Sequence, residues 1–157
     1  MPRTMPPFEQ QPNIQGEKGK ERKEQPKKQR ILIIEDDLAN MIGALSAFNE
    51  DKDVEDCLAV GNYQEALVKI EEFKPTLALV DVNIIGGSGR DLANILKEKG
   101  IPFVFVTASG NGVEIQSEGG TLAKIGESSD KGPEVWRAAY GFLTGEKPDK
   151  GGEEGGE

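Results

Sequence analysis

The chain has 157 residues, of which 36% are hydrophobic and 30% charged, with a formal net charge of −9. Its length is typical of one domain. The longest apolar runs, such as Ile31–Ile34, have four residues, so the sequence predicts neither a membrane span nor a secretory signal. A single cysteine, Cys57, excludes an internal disulfide and fits a cytoplasmic protein. The lack of histidine excludes histidine metal sites, Ser–His–Asp triads and phosphohistidine.

The charge is unevenly distributed along the chain. Residues 1–30 carry +4 and residues 144–157 carry −3, so the middle of the chain carries −10. Both ends are rich in Pro, Gln, Gly, Lys and Glu and poor in apolar residues, and such segments bury too little surface to repay the entropy of ordering. We therefore predict disordered tails at 1–29 and 144–157 around one domain at 30–143. The basic segment 18–30 is interpreted as a solvated linker, and no direct nucleic-acid binding is expected.

Strand and helix patterns alternate within this domain. Short continuous apolar runs predict buried strands at Ile31–Ile34, Leu77–Val80 and Phe103–Val106, and weaker strand patterns occupy Asp53–Val60 and Thr121–Ile125. Apolar residues at helical spacing predict four helices, at Leu38–Phe48, at Tyr63–Phe73, around Leu92–Leu96 and at Val135–Leu143. This alternation is typical of an open α/β parallel sheet with helices on both faces. Ligands of such sheets bind beyond the carboxyl ends of the strands.

Several chemically capable side chains lie at the ends of these predicted strands. Glu35 and Asp36 end the first strand, Asp81 the third and Thr107 the fourth, and the fifth contains or ends at Lys124. Because neighbouring carboxylates repel one another, a cluster of three is costly without a compensating cation, and Mg²⁺ suits such oxygen ligands. The next residue, Asp37, either belongs to this acidic group or caps the helix that follows it.

At these residues the sequence resembles a response-regulator receiver domain, the phosphoacceptor module of two-component signalling. The resemblance rests on residues 31–37 (ILIIEDD), residues 75–83 (PTLALVDVN) and the glycines at 86 and 89. It implies a flavodoxin-like, doubly wound five-stranded parallel sheet of strand order 2-1-3-4-5. The segment between Thr107 and Lys124 lacks the amphipathic pattern of a full helix, so we expect the fourth crossover helix to be short or irregular.

The resemblance also implies the site residues. Asp81 would be the phosphorylated aspartate, and Mg²⁺ would be bound by Glu35, Asp36, Asp81 and the backbone carbonyl of Asn83. Thr107 would be the switch hydroxyl. Lys124 would be the lysine that contacts the phosphoryl group, with Lys131 as the alternative.

Some features depart from the family pattern. Lys124 is followed by isoleucine and glycine, where the family normally has a proline after this lysine, and Thr121 stands where the family often has an aromatic residue.

The glycine-rich stretch 86–90 lacks the lysine of a phosphate-binding loop, and we predict a tight turn before a helix. Trp136 is expected to pack in the core.

We therefore expect a stand-alone response regulator, since only the acidic tail follows Leu143. It would accept a phosphoryl group on Asp81 from a histidine kinase or a histidine phosphotransfer protein and switch binding to a downstream protein. It would be a regulatory phosphoacceptor rather than an enzyme with an external substrate. The alternative is a phosphorylation-independent pseudo-receiver that acts as a protein-interaction module, which the unusual lysine context and short fourth crossover would support.

Overall fold

The computed structural model of the protein describes residues 28–145. Eight strands and four helices alternate along this segment. The strands are β1 (Gln29–Ile34), β2 (Val54–Val60), β3 (Leu77–Val80), β4 (Asn83–Ile84), β5 (Gly87–Ser88), β6 (Phe103–Ser109), β7 (Gly112–Ser117) and β8 (Gly120–Ile125). The helices are α1 (Leu38–Phe48), α2 (Tyr63–Glu72), α3 (Gly89–Glu98) and α4 (Pro133–Thr144). The five strands and four helices predicted from the apolar patterns are all present.

A six-stranded sheet in the order β2-β1-β3-β6-β7-β8 forms the centre of the domain. The four strands β2, β1, β3 and β6 are parallel to one another. Helices connect these strands and cover both faces of the sheet, as expected of apolar strands that are buried on both sides. The predicted α/β, flavodoxin-like class is confirmed, and so is the order of these four strands. The small β4–β5 hairpin lies outside the main sheet.

The two faces of the sheet bury separate apolar cores. On one face, alternate residues of the strands pack with α1 and α4 around Phe48 and Trp136. On the other face, the intervening residues pack with α2 and α3 around Ile70 and Leu92. This division follows from the two-residue period of a strand, which points successive side chains to opposite faces. Trp136 is fully buried, as predicted.

The prediction for the chain after β6 was wrong in one respect. The expected fourth crossover helix is replaced by strand β7, which runs antiparallel between β6 and β8. The predicted fifth strand is therefore present as β8 but lies one position further out, paired with β7 and not with β6.

The sequence contains a local signal for this hairpin that the prediction of a crossover helix did not take into account. Ser109 pairs with Gly112 across a two-residue turn at residues 110–111, in which Gly110 has a φ of 63°. A glycine at the first position of such a turn matches the right-handed twist of antiparallel strands. Val113 and Ile115 then alternate with polar residues, the pattern of a strand with one buried face.

The predicted tails fall mostly outside the described residues. Gln29 begins β1 and Thr144 ends α4, so the folded part extends slightly beyond the predicted limits at both ends. No helix of the described segment is long and apolar enough to span a lipid bilayer.

Candidate functional site

The parallel strands bring three carboxylates together at one edge of the sheet. Glu35 and Asp36 follow β1, and Asp81 follows β3, which is paired directly with β1. One carboxylate oxygen of each residue lies within 4.8 Å of those of the other two. Glu35 and Asp81 are buried, whereas Asp36 is exposed. The cluster predicted from the strand ends is therefore present in the structure.

The backbone ladder of the sheet sets where two of these carboxylates lie. The Asp81 N–H donates to the carbonyl of Ile34 on β1 at 2.8 Å, and the Glu35 N–H donates to the carbonyl of Val60 on β2 at 3.0 Å. The side chain of Asp81 receives a local hydrogen bond as well, because its Oδ1 accepts from the N–H of Asn83 at 3.1 Å. The backbone of both residues and the carboxylate of Asp81 are therefore held by bonds within the protein.

Lys131 supplies the positive charge of the site. Its ammonium lies 2.5 Å from Glu35 Oε1 and 3.1 Å from Asp81 Oδ2, and it donates to the carbonyl of Val106 at 2.7 Å. The lysine is only 2% exposed. A buried ammonium is costly unless it is paired and hydrogen-bonded, and here all three of its N–H groups have a partner within reach.

The preference for Lys124 as the lysine beside Asp81 was wrong. Lys124 lies on β8, where its side chain is 77% exposed and its ammonium is 3.9 Å from Glu114. The cause is the insertion of β7, which moves the predicted fifth strand away from β6. Lys131, the alternative, reaches the site from the loop between β8 and α4.

Burial raises the pKa of Glu35, and the nearby charge of Asp81 acts in the same direction. The charge and hydrogen bond of Lys131, together with the N–H of Asp37, lower the pKa and only partly offset the effect of burial. A further cation at the cluster would favour the ionised form of Glu35.

The remaining predicted residues lie nearby. Thr107 is 7% exposed on β6, next to Val106, whose carbonyl binds Lys131. Asn83 begins β4, immediately beyond Asp81. Asp37 is the cap of α1, because its carboxylate accepts from the N–H of Asn40 at 3.0 Å, so the alternative interpretation of this residue is confirmed.

The glycine-rich stretch after Asp81 forms a turn, as predicted. Gly86 has a φ of 90° and joins β4 to β5. A Cβ atom at Gly89 would lie 2.2 Å from the carbonyl oxygen of Asp81, so only glycine lets α3 begin this close to the site. Gly86 therefore allows the turn, and Gly89 allows the close approach of the backbone to Asp81.

The donor set fits a hard divalent cation. All three clustered groups offer carboxylate oxygens, the ligand type that Mg²⁺ prefers. The exposure of Asp36 leaves one side of the cluster open to solvent, which suits an ion that retains several of its waters. Glu35, Asp36 and Asp81 are the residues able to hold it.

Curated proteins with similar sequences include several response regulators. The DNA-binding response regulator MtrA of Mycolicibacterium paratuberculosis is 30% identical over 89 residues, which cover 56% of this chain and 39% of that protein. The two-component response regulator PhoP of Pseudomonas aeruginosa is 32% identical over 84 residues, or 52% of this chain and 36% of the relative. This chain therefore matches about two fifths of the length of these curated relatives.

Among solved structures, the non-phosphorylated HemR receiver domain of Leptospira biflexa is 32% identical, with a TM-score of 0.43 over 53% of this chain and 67% of that one. The family model described as the response regulator receiver domain matches residues 31–118. The match covers more than half of the chain and includes Glu35, Asp36, Asp81 and Thr107, but it ends before β8 and Lys131. The chain belongs to the response regulator receiver domain family.

Proposed function

We propose that the protein is a regulatory phosphoacceptor that takes a phosphoryl group on Asp81 in a Mg²⁺-dependent reaction and thereby switches its binding to a protein partner. One observation carries this proposal. The Asp81 carboxylate is fixed 3.1 Å from the ammonium of Lys131 and clustered with the carboxylates of Glu35 and Asp36. The donor would be a histidine kinase or a histidine phosphotransfer protein, and the family supports this regulatory class of function.

Asp81 acts as the nucleophile. One of its carboxylate oxygens attacks phosphorus, and the bond between phosphorus and the donor nitrogen breaks. The leaving nitrogen keeps the electron pair and takes a proton, while Asp81 becomes an acyl phosphate. No general base is needed, because an ionised carboxylate is already nucleophilic. The missing histidine is therefore consistent with a chain that receives phosphoryl groups from a donor protein.

The other residues stabilise charge on the transferred group. Phosphoryl transfer depends mainly on alignment and on neutralising the phosphoryl oxygens. The Lys131 ammonium, 3.1 Å from Asp81, would bind one of these oxygens as a point charge, and the Thr107 hydroxyl would donate to another. Glu35, Asp36, Asp81 and the Asn83 carbonyl would hold Mg²⁺, which supplies further neutralisation when it is bound.

The direct test is mass spectrometry of the intact protein after treatment with phosphoramidate and Mg²⁺. We expect the mass of one phosphoryl group to be added to the wild type and not to Asp81→Asn. Asp91→Asn removes an exposed carboxylate in the first turn of α3 and is the matched control, so it should be modified like the wild type. Chelation of Mg²⁺ should prevent the reaction. A wild type that remains unmodified, with its kinase as well as with phosphoramidate, would refute the proposal.

The pseudo-receiver remains a second candidate, because β7 replaces the fourth crossover helix and changes the surface beside Thr107. In that case the protein would bind its partner without phosphorylation. The cluster would show no Mg²⁺ binding by calorimetry, and Asp81→Asn would bind the partner as tightly as the wild type. The same variant thus separates the two candidates.

A further inference from the structure

Lys131 is held at the site in a different way from the carboxylates. It lies between β8 and α4, outside any strand, so no ladder of the sheet fixes its backbone. Two side chains bind that backbone instead. Asn40 Oδ1 on α1 accepts from the Lys131 N–H at 3.0 Å, and Trp136 Nε1 on α4 donates to the Lys131 carbonyl at 3.1 Å.

The contact between this loop and α1 is close. A Cβ atom at Gly43, one turn after Asn40, would lie 2.4 Å from the Lys131 carbonyl oxygen and 3.3 Å from the Cα of Gly132. A real side chain does not approach a backbone so closely, so glycine at position 43 lets the loop rest directly on α1. Trp136 also contacts the lysine side chain, because the Lys131 ammonium lies 5.6 Å from the centre of the Trp136 ring.

We propose that Asn40 and Trp136 are positioning residues, which clamp the backbone of Lys131 so that its ammonium meets Asp81 in the geometry that phosphoryl transfer requires. The inference rests on the proposed function. It extends that function to two residues that do not touch the reacting atoms and that the strand-end pattern did not single out.

The physical reason lies in the length of the lysine side chain. A flexible four-carbon stem leaves the ammonium free to reach several positions unless its backbone is fixed. A strand would provide that constraint through its ladder, as β1 does for Asp81. In this chain β7 separates the last strand from β6, so the constraint on Lys131 comes from side chains of α1 and α4.

Asn40→Ala is the informative variant, since Asn40 is only half-buried on α1 and its loss leaves the core intact. Loss of one net hydrogen bond should slow phosphorylation of Asp81 by phosphoramidate about five- to tenfold. Asn40→Asp supplies the same acceptor oxygen and should restore most of the rate. Asn94→Ala, at an exposed position of α3, is the matched control and should react like the wild type.

Calorimetric titration with Mg²⁺ separates positioning from general damage. A loosened ammonium no longer repels a cation at the carboxylates, so Asn40→Ala should bind Mg²⁺ at least as tightly as the wild type while it reacts more slowly. Parallel losses of Mg²⁺ affinity and rate would show that the whole cluster is disturbed and would overturn the inference.

Two further outcomes are distinguishable. If the wild type is phosphorylated and Asn40→Ala reacts at the same rate, or if Asn40→Asp is as slow as Asn40→Ala, the positioning role is wrong and the proposed function stands. If the wild type takes no phosphoryl group, the proposed function fails and this inference fails with it.

Discussion

The two halves of the site are assembled by different means. On one side, Asp81 and Glu35 extend from neighbouring parallel strands, and their backbone N–H groups belong to the ladder of the sheet. On the other side, Lys131 comes from a loop and is held by side chains from two helices. A ladder is repeated along a strand and tolerates local change. The lysine side depends on a few individual contacts and should be the more sensitive to substitution.

The largest effect expected on the lysine side is that of Lys131→Met. In the proposed reaction one phosphoryl oxygen would then lose its positive partner, and removal of such a group typically costs a factor of about 10² to 10³ in rate. Lys124→Met should react within about twofold of the wild type, because Lys124 is exposed on β8. Phosphorylation rates measured by mass spectrometry for the two variants would check this.

Lys131→Met also leaves Glu35 buried without its partner, which destabilises a protein. Circular dichroism should therefore confirm that the variant is folded, and Lys131→Arg, which keeps the charge, serves as the second variant. Equal phosphorylation rates for Lys131→Met and the wild type would contradict a role of Lys131 in phosphoryl transfer.

A smaller effect is expected at Gly43, where α1 meets the Lys131 loop. Alanine normally favours a helix over glycine, but at Gly43 its Cβ would collide with the Lys131 carbonyl oxygen. We expect Gly43→Ala to lower the free energy of unfolding by about 1–3 kcal/mol, as overpacking does. Gly119→Ala is the control, since its Cβ would meet only Ser117 Oγ at 3.6 Å. Urea unfolding measures both variants, and a more stable Gly43→Ala would contradict the close contact.

The smallest effect concerns the ion pair between Arg137 on α4 and Asp51 in the loop after α1. Burial tends to raise the pKa of Asp51, but the hydrogen bond from Arg137, the N–H of Asp53 and the charge of Arg137 together lower it. The pair is partly solvated, so we expect Asp51→Asn to cost only about 0.5 kcal/mol at neutral pH.

The direction of its pH dependence follows from the lowered pKa. A carboxylate with a lower pKa in the folded state stabilises the protein above the pKa of the unfolded chain, and this contribution disappears as the pH falls through the folded value. The difference in unfolding free energy between the wild type and Asp51→Asn should therefore be constant near pH 7 and shrink below about pH 4. A difference that grows in acid would contradict the assignment.

Much of the fold and half of the site follow from local sequence patterns. Continuous apolar runs identify β1, β3 and β6, and the carboxylates that end β1 and β3 must meet because parallel neighbours align their carboxyl ends. The hairpin at β7 was also encoded locally, in the turn at Gly110 and the alternation of Val113 and Ile115. It was missed because the expectation of a crossover helix took precedence over this pattern.

By itself, the sequence determined the acidic half of the site, the parallel strands behind it and the exclusion of histidine chemistry. Only the tertiary structure decided which lysine completes the site. Lys124 lies within the last strand pattern and Lys131 shortly after it, and local periodicity cannot show that β7 would separate β8 from β6. The choice depends on contacts between residues far apart in the chain, since Asn40 and Lys131 are 91 positions apart. Such contacts exist only once α1, α4 and the sheet have packed together.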